Sequence, residues 1–229
     1  MGINPNIAEI ASLLGETSRA TMLASMMDGR FHTASELAYM AAIKPQTASF
    51  HLAKLVDGKL VNVEKQGRHR YFRLAGEDIA QLLESFLAMS PPPEVRTLKQ
   101  SSQMKVLQDA RTCYDHLAGK LGVQLTESLL KASYLELDQK QFVITAEGVQ
   151  FFADFGLNLD ELKKMRRSFS HACLDWSERR YHLGGALGHG LLTHLFNLEW
   201  ITRVPSIRAI KVTEKGRAGF KEVLNMDIT

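Results

Sequence analysis

Two cysteines and several histidines are the residues in this chain most able to do chemistry. Asp109, Cys113 and His116 are spaced four and three apart, which predicts one shared face of a helix. A later stretch carries Asp175, Arg179 and His182, with His171 and Cys173 just before it. If the two faces meet, their Cys, His and Asp side chains form a ligand set for zinc or copper. A thiol beside Arg179 or a protonated histidine would instead be biased toward thiolate, the form a redox sensor needs. A third reading is structural, with Asp and His only holding helices together. A fourth places an organic effector in a cleft lined by Tyr114, Phe151, Phe155, Trp176 and Tyr181, whose aromatic faces suit an apolar molecule, with Arg179 as a further ligand contact. The residues leave all four open. No cofactor is assigned, and the candidate signals are a small-molecule effector or a transition metal.

The elements that must position these residues recur. Asp109 followed by His116-Leu117-Ala118-Gly119-Lys120-Leu121-Gly122 returns as Asp175 followed by His182-Leu183-Gly184-Gly185-Ala186-Leu187-Gly188. Downstream, Thr145-x-x-Gly148-x-x-x-Phe152 returns as Thr213-x-x-Gly216-x-x-x-Phe220. Each copy is predicted to run from a helix bearing Asp and His, through a second helix over 125–135 or 191–200, to a hairpin and a threonine-capped last helix. That order predicts two winged-helix-like halves about a pseudo-twofold axis. In this alignment Arg179 stands where the first copy has Cys113. The glycines at 184, 185, 188 and 190 do not make a phosphate loop, because 175–180 reads as helix where that motif needs a strand.

The first 90 residues have a different pattern. Apolar residues at helical spacing over 7–27, interrupted near Gly15-Glu16-Thr17, predict two helices. Thr33 with Glu36 predicts a capping box. After the turn Ala42-Ile43-Lys44, Pro45 opens a helix with Ala48, Leu52, Leu55 and Val56 on one stripe. Two short helices joined this way predict a helix-turn-helix. On the second, Gln46, Thr47, Ser49, Phe50, His51 and Lys54 lie largely off the stripe, with Lys44 at its start, where a reading helix meets DNA. Strands at 60–64 and 71–74 then predict a hairpin whose tip holds Lys65, Arg68, His69 and Arg70, placed to neutralise phosphates. Between Met40 and Ala75 there are seven Lys and Arg against two acids, a local net of +5, whereas the whole chain carries +3.

Four blocks, 14–19, 49–55, 58–61 and 67–74, resemble in order the ArsR-type (ArsR/SmtB) winged helix-turn-helix repressors. The resemblance covers residues 5 to 88. It implies a homodimer on double-stranded DNA, released by a signal, with Ile79, Leu82, Leu83, Phe86 and Leu87 supplying part of the dimer interface. The chain departs from that pattern at the family's metal sites. Its helix Thr33 to Met40 has no thiol, and 77–84 has no histidine.

Hydrophobic residues make up 45% of the 229 and charged residues 23%, values of a folded protein. The prolines at 91–93 predict a linker over 91–103, between a winged helix-turn-helix domain at 1–90 and a tandem-repeat effector domain at 104–229. The fold class expected is mainly α with small β-hairpins. No signal peptide or membrane span is read, so a cytoplasmic protein with reduced thiols is expected. No nucleophile–base motif or cofactor loop is present, and no enzyme is expected. The function expected is a ligand-responsive homodimeric repressor. The alternatives are a metal- or thiol-sensing repressor using Cys113, His116, Cys173 and His182, and a protein-interaction adaptor without DNA binding.

Overall fold

The computed structural model describes residues 6–91, 94, 95 and 97–228. Pro92 and Pro93, on which the expected linker partly rests, lie outside the described residues. The chain divides into two compact units, Met1–Leu83 and Glu84–Thr229.

The first unit contains α1 (Ile7–Leu14), α2 (Thr17–Ser25), β1 (His32–Thr33), α3 (Ala34–Met40), α4 (Pro45–Asp57), β2 (Val61–Gln66), β3 (His69–Leu74) and the start of α5 (Glu77–Met89). The Glu16 carboxylate caps α2, accepting from the amides of Ser18 at 3.0 Å and Arg19 at 2.8 Å. The Arg19 guanidinium in turn donates to the Ser12 and Leu13 carbonyls at the end of α1. One short motif thereby stops one helix and starts the next. Thr33 and Glu36 form the expected capping box on α3. The core is drawn from Met22, Leu23, Met26, Leu37, Leu52, Leu55, Leu60 and Leu74. The sheet order is β1-β3-β2. The two-residue β1 had no sequence signal, since alternation cannot be read from two positions. Gly67, at φ +60°, starts a two-residue loop, the conformation such tight hairpins favour.

The second unit contains the rest of α5, then α6 (Leu98–Asp109), β4 (Arg111–Cys113), β5 (His116–Ala118), α7 (Gly119–Lys131), β6 (Leu135–Asp138), β7 (Gln141–Ile144), α8 (Ala146–Asp154), α9 (Leu159–Lys163), β8 (His171–Leu174), β9 (Tyr181–Gly184), α10 (Gly185–Asn197), β10 (Ile201–Arg203), β11 (Ile210–Val212) and α11 (Glu214–Leu224). α6 begins inside the stretch whose polarity suggested a linker; Thr97 and Gln100 cap it reciprocally. The order hairpin, helix, hairpin, helix occurs twice. Gly119 and Gly185 have φ +77° and +80°, and Ser133 and Glu199 have φ +59° and +60°. Thr145 and Thr213 each accept from the amide of the glycine three residues on, at 2.9 Å.

The expected first helix of each half is not formed. The residues around Cys113 and Cys173 make β-hairpins, and the helices that follow start earlier than predicted, at the glycines themselves. The halves are therefore not built on the expected plan of two helices followed by a hairpin.

At Gly148 and Gly216 a Cβ would collide with the carbonyl oxygens of Tyr134 and Trp200 respectively. Gly216→Ala is expected to cost about 1–3 kcal/mol by overpacking in denaturant unfolding. Gly76→Ala, where a Cβ meets open space, is expected to cost less than about 0.5 kcal/mol.

Candidate functional site

In the first unit, α4 buries Ala48, Leu52 and Leu55 and leaves its opposite face outward. Lys44, Gln46, Thr47, Ser49, Phe50 and Lys54 are all exposed. Lys54 Nζ lies 4.5 Å over the Phe50 ring, so the aromatic and the cation form one outward patch. Ser49 Oγ donates to the Pro45 carbonyl at 2.9 Å. His51 behaves differently. Its Nδ1 lies 3.4 Å from the Arg19 guanidinium and 3.6 Å from the Glu16 carboxylate, with the side chain only 12% exposed. It braces α4 against the start of α2 and is not one of the outward residues. In the hairpin, Lys65, Arg68, His69 and Arg70 are exposed at the tip. The only acid on these strands, Glu64, sits 3.9 Å from Arg73.

In the second unit the two cysteine-bearing hairpins meet. Cys113 pairs across its hairpin with His116, and Cys173 with His182. Such cross-strand partners share one face of their hairpin. The two sulfurs lie 3.9 Å apart and the two imidazole Nε2 atoms 3.2 Å apart. All four side chains are buried, with potential ligand atoms within 4.8 Å of one another. Each outer ring nitrogen faces a carboxylate: His116 Nδ1 is 3.6 Å from Asp115, and His182 Nδ1 is 3.6 Å from Asp175. Arg167 grips Asp115 through its two terminal guanidinium nitrogens. Arg111, fully buried, donates to Asp175 at 2.8 Å, to Ser177 Oγ at 3.0 Å and to the Leu107 carbonyl at 3.1 Å, beneath the Trp176 ring. The Gly119 amide at the start of α7 also donates to Asp175, at 2.7 Å.

These contacts set the protonation tendencies. The hydrogen bond with Cys173, then burial, pushes the Cys113 thiol up. Burial, then the neighbouring His116, pushes His182 down. Burial works against the charge on Asp175, but Arg111 and His182 outweigh it and hold the carboxyl below its usual range.

Residues 27–64 match a helix-turn-helix domain family. The HTH-type transcriptional regulator YdfF of Bacillus subtilis (strain 168) is 51% identical over 226 residues, covering 99% of this chain and 100% of its own length. The chain belongs to the HTH-type transcriptional regulators. Among solved structures, a homodimeric winged helix-turn-helix DNA-binding domain from Mycobacterium bovis, described as a possible ArsR-family transcriptional regulator, is 25% identical. It covers 39% of this chain and 89% of its own, with TM-score 0.34. The cadmium metal-sensor CMTR of Mycobacterium tuberculosis is 22% identical over 39% of this chain and 93% of its own, with TM-score 0.33.

Several expectations for the regulator's second unit are corrected by its geometry. Asp109 is exposed at the end of α6, outside the cluster. Cys113 and His116 do not share a helix face, since they stand on paired strands. The residue corresponding to Cys113 is Cys173, not Arg179. The two hairpins superimpose in sequence only when the longer 175–180 turn is treated as an insertion. Arg179 sits in that turn and donates to the Ala88 carbonyl at 2.7 Å. Tyr114, Trp176 and Tyr181 also lie on hairpin turns or strands. A pocket of about 400 Å³ in this unit is lined by Val106, Asp109, Lys120, Leu121, Ile210 and neighbouring residues, and none of the expected aromatics contributes to it.

A strand, β9, does precede the glycine-rich segment, contrary to the helix expected there. The start of α10 is nonetheless closed to a phosphate. The amides of Ala186 and Leu187 donate to the carbonyls of Ser168 and Phe169. The residues around the cluster that spacing alone did not single out are Asp115, Arg167 and Arg111. The available signal was Cys-x-x-His in the first hairpin, a tight turn that places both side chains together.

Replacing Arg111 by Met leaves the buried Asp175 carboxylate uncompensated. Arg111→Met is expected to lower stability by about 3–5 kcal/mol in denaturant unfolding. Adding Asp175→Asn is expected to recover part of that loss, read as a non-additive double-mutant cycle.

Proposed function

We propose that this regulator is a homodimeric repressor, held on double-stranded DNA by its first unit and released by a signal received in its second. The observation that carries the DNA-binding half is the outward face of α4 beside a cationic hairpin. Gln46, Thr47 and Ser49, near the start of α4, read base edges or adjacent backbone in the major groove. Lys44, Lys54, Lys65, Arg68, His69 and Arg70 contact phosphates. Phe50 covers the apolar edge of a base or sugar. A protein adaptor working without DNA is disfavoured by the local net of +5, since that reading calls for a neutral or acidic wing. A repressor acting on DNA works where the DNA is, and for this reading that is the cytoplasm.

Dimerisation is supported by apolar side chains that lack an intramolecular cover. α1 has no buried residue and exposes Ile7 at 82%, and α5 exposes Leu82, Phe86 and Met89. A second copy of the chain is the occupant that the resemblance to ArsR-type repressors implies. Ile7→Asp with Phe86→Asp is expected to shift the protein toward monomer in sedimentation velocity while far-ultraviolet circular dichroism stays unchanged.

DNA binding is tested on genomic fragments selected by the protein itself. Arg68→Ala with Arg70→Ala is expected to weaken binding to every sequence alike. It should also flatten the slope of log K against log salt by about 0.9 for each phosphate that is no longer neutralised. Gln46→Ala is expected to leave that slope unchanged and to cost about 1–3 kcal/mol of discrimination at one base position. An unchanged salt slope in the double arginine variant rules out the role given to the wing.

A further inference from the structure

We infer that Cys113, His116, Cys173 and His182 form a closed four-coordinate zinc site that joins the two hairpins of the second unit. The inference deepens the proposed function, on which only its regulatory meaning rests.

The geometry is that of a tetrahedral site. Zinc bound at about 2.3 Å to sulfur and about 2.05 Å to nitrogen requires tetrahedral edges of about 3.8 Å between sulfurs and about 3.3 Å between nitrogens. The observed separations are 3.9 Å and 3.2 Å. The remaining sulfur–nitrogen edges are within 4.8 Å and shorten by small side-chain rotations. Each hairpin contributes one sulfur and one nitrogen from paired positions, so neither half can complete the site alone.

The outer shell is also that of a metal site. A ligating histidine commonly directs its second nitrogen at a carboxylate, which orients the ring and makes it a better donor. Here the second nitrogens of His116 and His182 face Asp115 and Asp175 at 3.6 Å, an electrostatic contact just beyond hydrogen-bond length. Each carboxylate is fixed from behind by an arginine. One proton between the two imidazole Nε2 atoms, 3.2 Å apart, makes a single hydrogen bond, and it leaves the sulfur pair beside them unexplained. A cation uses both nitrogen lone pairs.

Charge selects the ion. Two thiolates and two neutral imidazoles around a divalent cation sum to zero, which suits a site with no exposed ligand. A monovalent copper ion on the same set would leave a net negative charge buried. On zinc binding the two thiols release their protons to solvent. The site has no open position, so it holds structure and does not catalyse.

What it holds is the end of α5. Arg111, on the first hairpin, lies 3.8 Å from Glu84, and Arg179, in the second hairpin's turn, donates to Ala88. α5 is also the helix through which the chain leaves the first unit. Loss of the ion would loosen both holds.

The full-length chain, purified under reducing conditions, is analysed for zinc by mass spectrometry after dialysis. One zinc per chain is expected. Substitution of cobalt(II) is expected to give tetrahedral ligand-field bands and a thiolate charge-transfer band. Cys173→Ser is expected to abolish stoichiometric retention, and Asp115→Asn to weaken zinc affinity about 10–100-fold. If Cys173→Ser fails to fold, the wild-type chain is stripped by chelator, and zinc added back is expected to raise its melting temperature. A stripped chain whose melting temperature ignores zinc overturns the inference. So does a metal-free chain two mass units light, with Cys113 and Cys173 joined as a disulfide, or cobalt bound without thiolate bands. DNA affinity is read separately on the same samples. Stoichiometric zinc with no DNA binding defeats the proposed function and leaves the site standing, and DNA binding without zinc does the reverse.

Discussion

A thirteen-residue helix that seals one stripe must show the other to its surroundings. In α4 the sealed stripe is Ala48, Leu52 and Leu55, and everything the first unit does depends on that choice. Burying those three side chains removes apolar surface from water and sets the helix rotation. With the rotation set, Gln46, Thr47 and Phe50 can only face outward. The supports are local: Pro45 starts the helix, His51 braces it on Glu16 and Arg19, and β2 follows directly behind it. The hairpin then brings its four cationic or imidazole side chains to the tip. Charge and shape thus arise from one packing decision made by small and medium apolar residues.

The second unit solves a different problem. Its two hairpins are short, three or four residues per strand, and such hairpins are marginal by themselves. They persist because each second strand lies against the helix following the other hairpin and because Arg111 and Asp175 link them in a dry interior. A buried ion pair of this kind stabilises little compared with an apolar contact, but removing one partner is costly. Its effect is to hold one arrangement: Asp175 is committed at once to Arg111, to the start of α7 and to the ring of His182. The cysteines and histidines are brought together by that same arrangement.

How much of this could be read from the chain follows the physics of each signal. Local signals were legible. The capping box at Thr33, the proline opening α4, the break at Gly15 to Thr17 and the threonine caps at 145 and 213 all appear as read, because each depends on residues within one helical turn. The recurrence of His-Leu-x-Gly was visible as well. Its secondary structure was misjudged, because spacings of four and three suit a helix while Cys-x-x-His equally suits a two-residue β-turn. Gapless matching then paired Cys113 with Arg179, hiding the correspondence of the two cysteines behind a longer turn. Asp115, Arg111 and Arg167 were not legible, since their importance comes from partners more than fifty residues away. His51 looked like an outward residue by type and turned out to be a brace, which only its long-range neighbours could reveal.

The most direct test of the account is site-specific photo-cross-linking of the full chain on a genomic fragment that it selects. A photoreactive amino acid is placed at Gln46 on the outward face of α4, or at Val143 on an exposed hairpin of the second unit. DNA cross-links are expected from Gln46, suppressed by excess unlabelled fragment, and none from Val143. Cross-links from Val143 with none from Gln46 would contradict it.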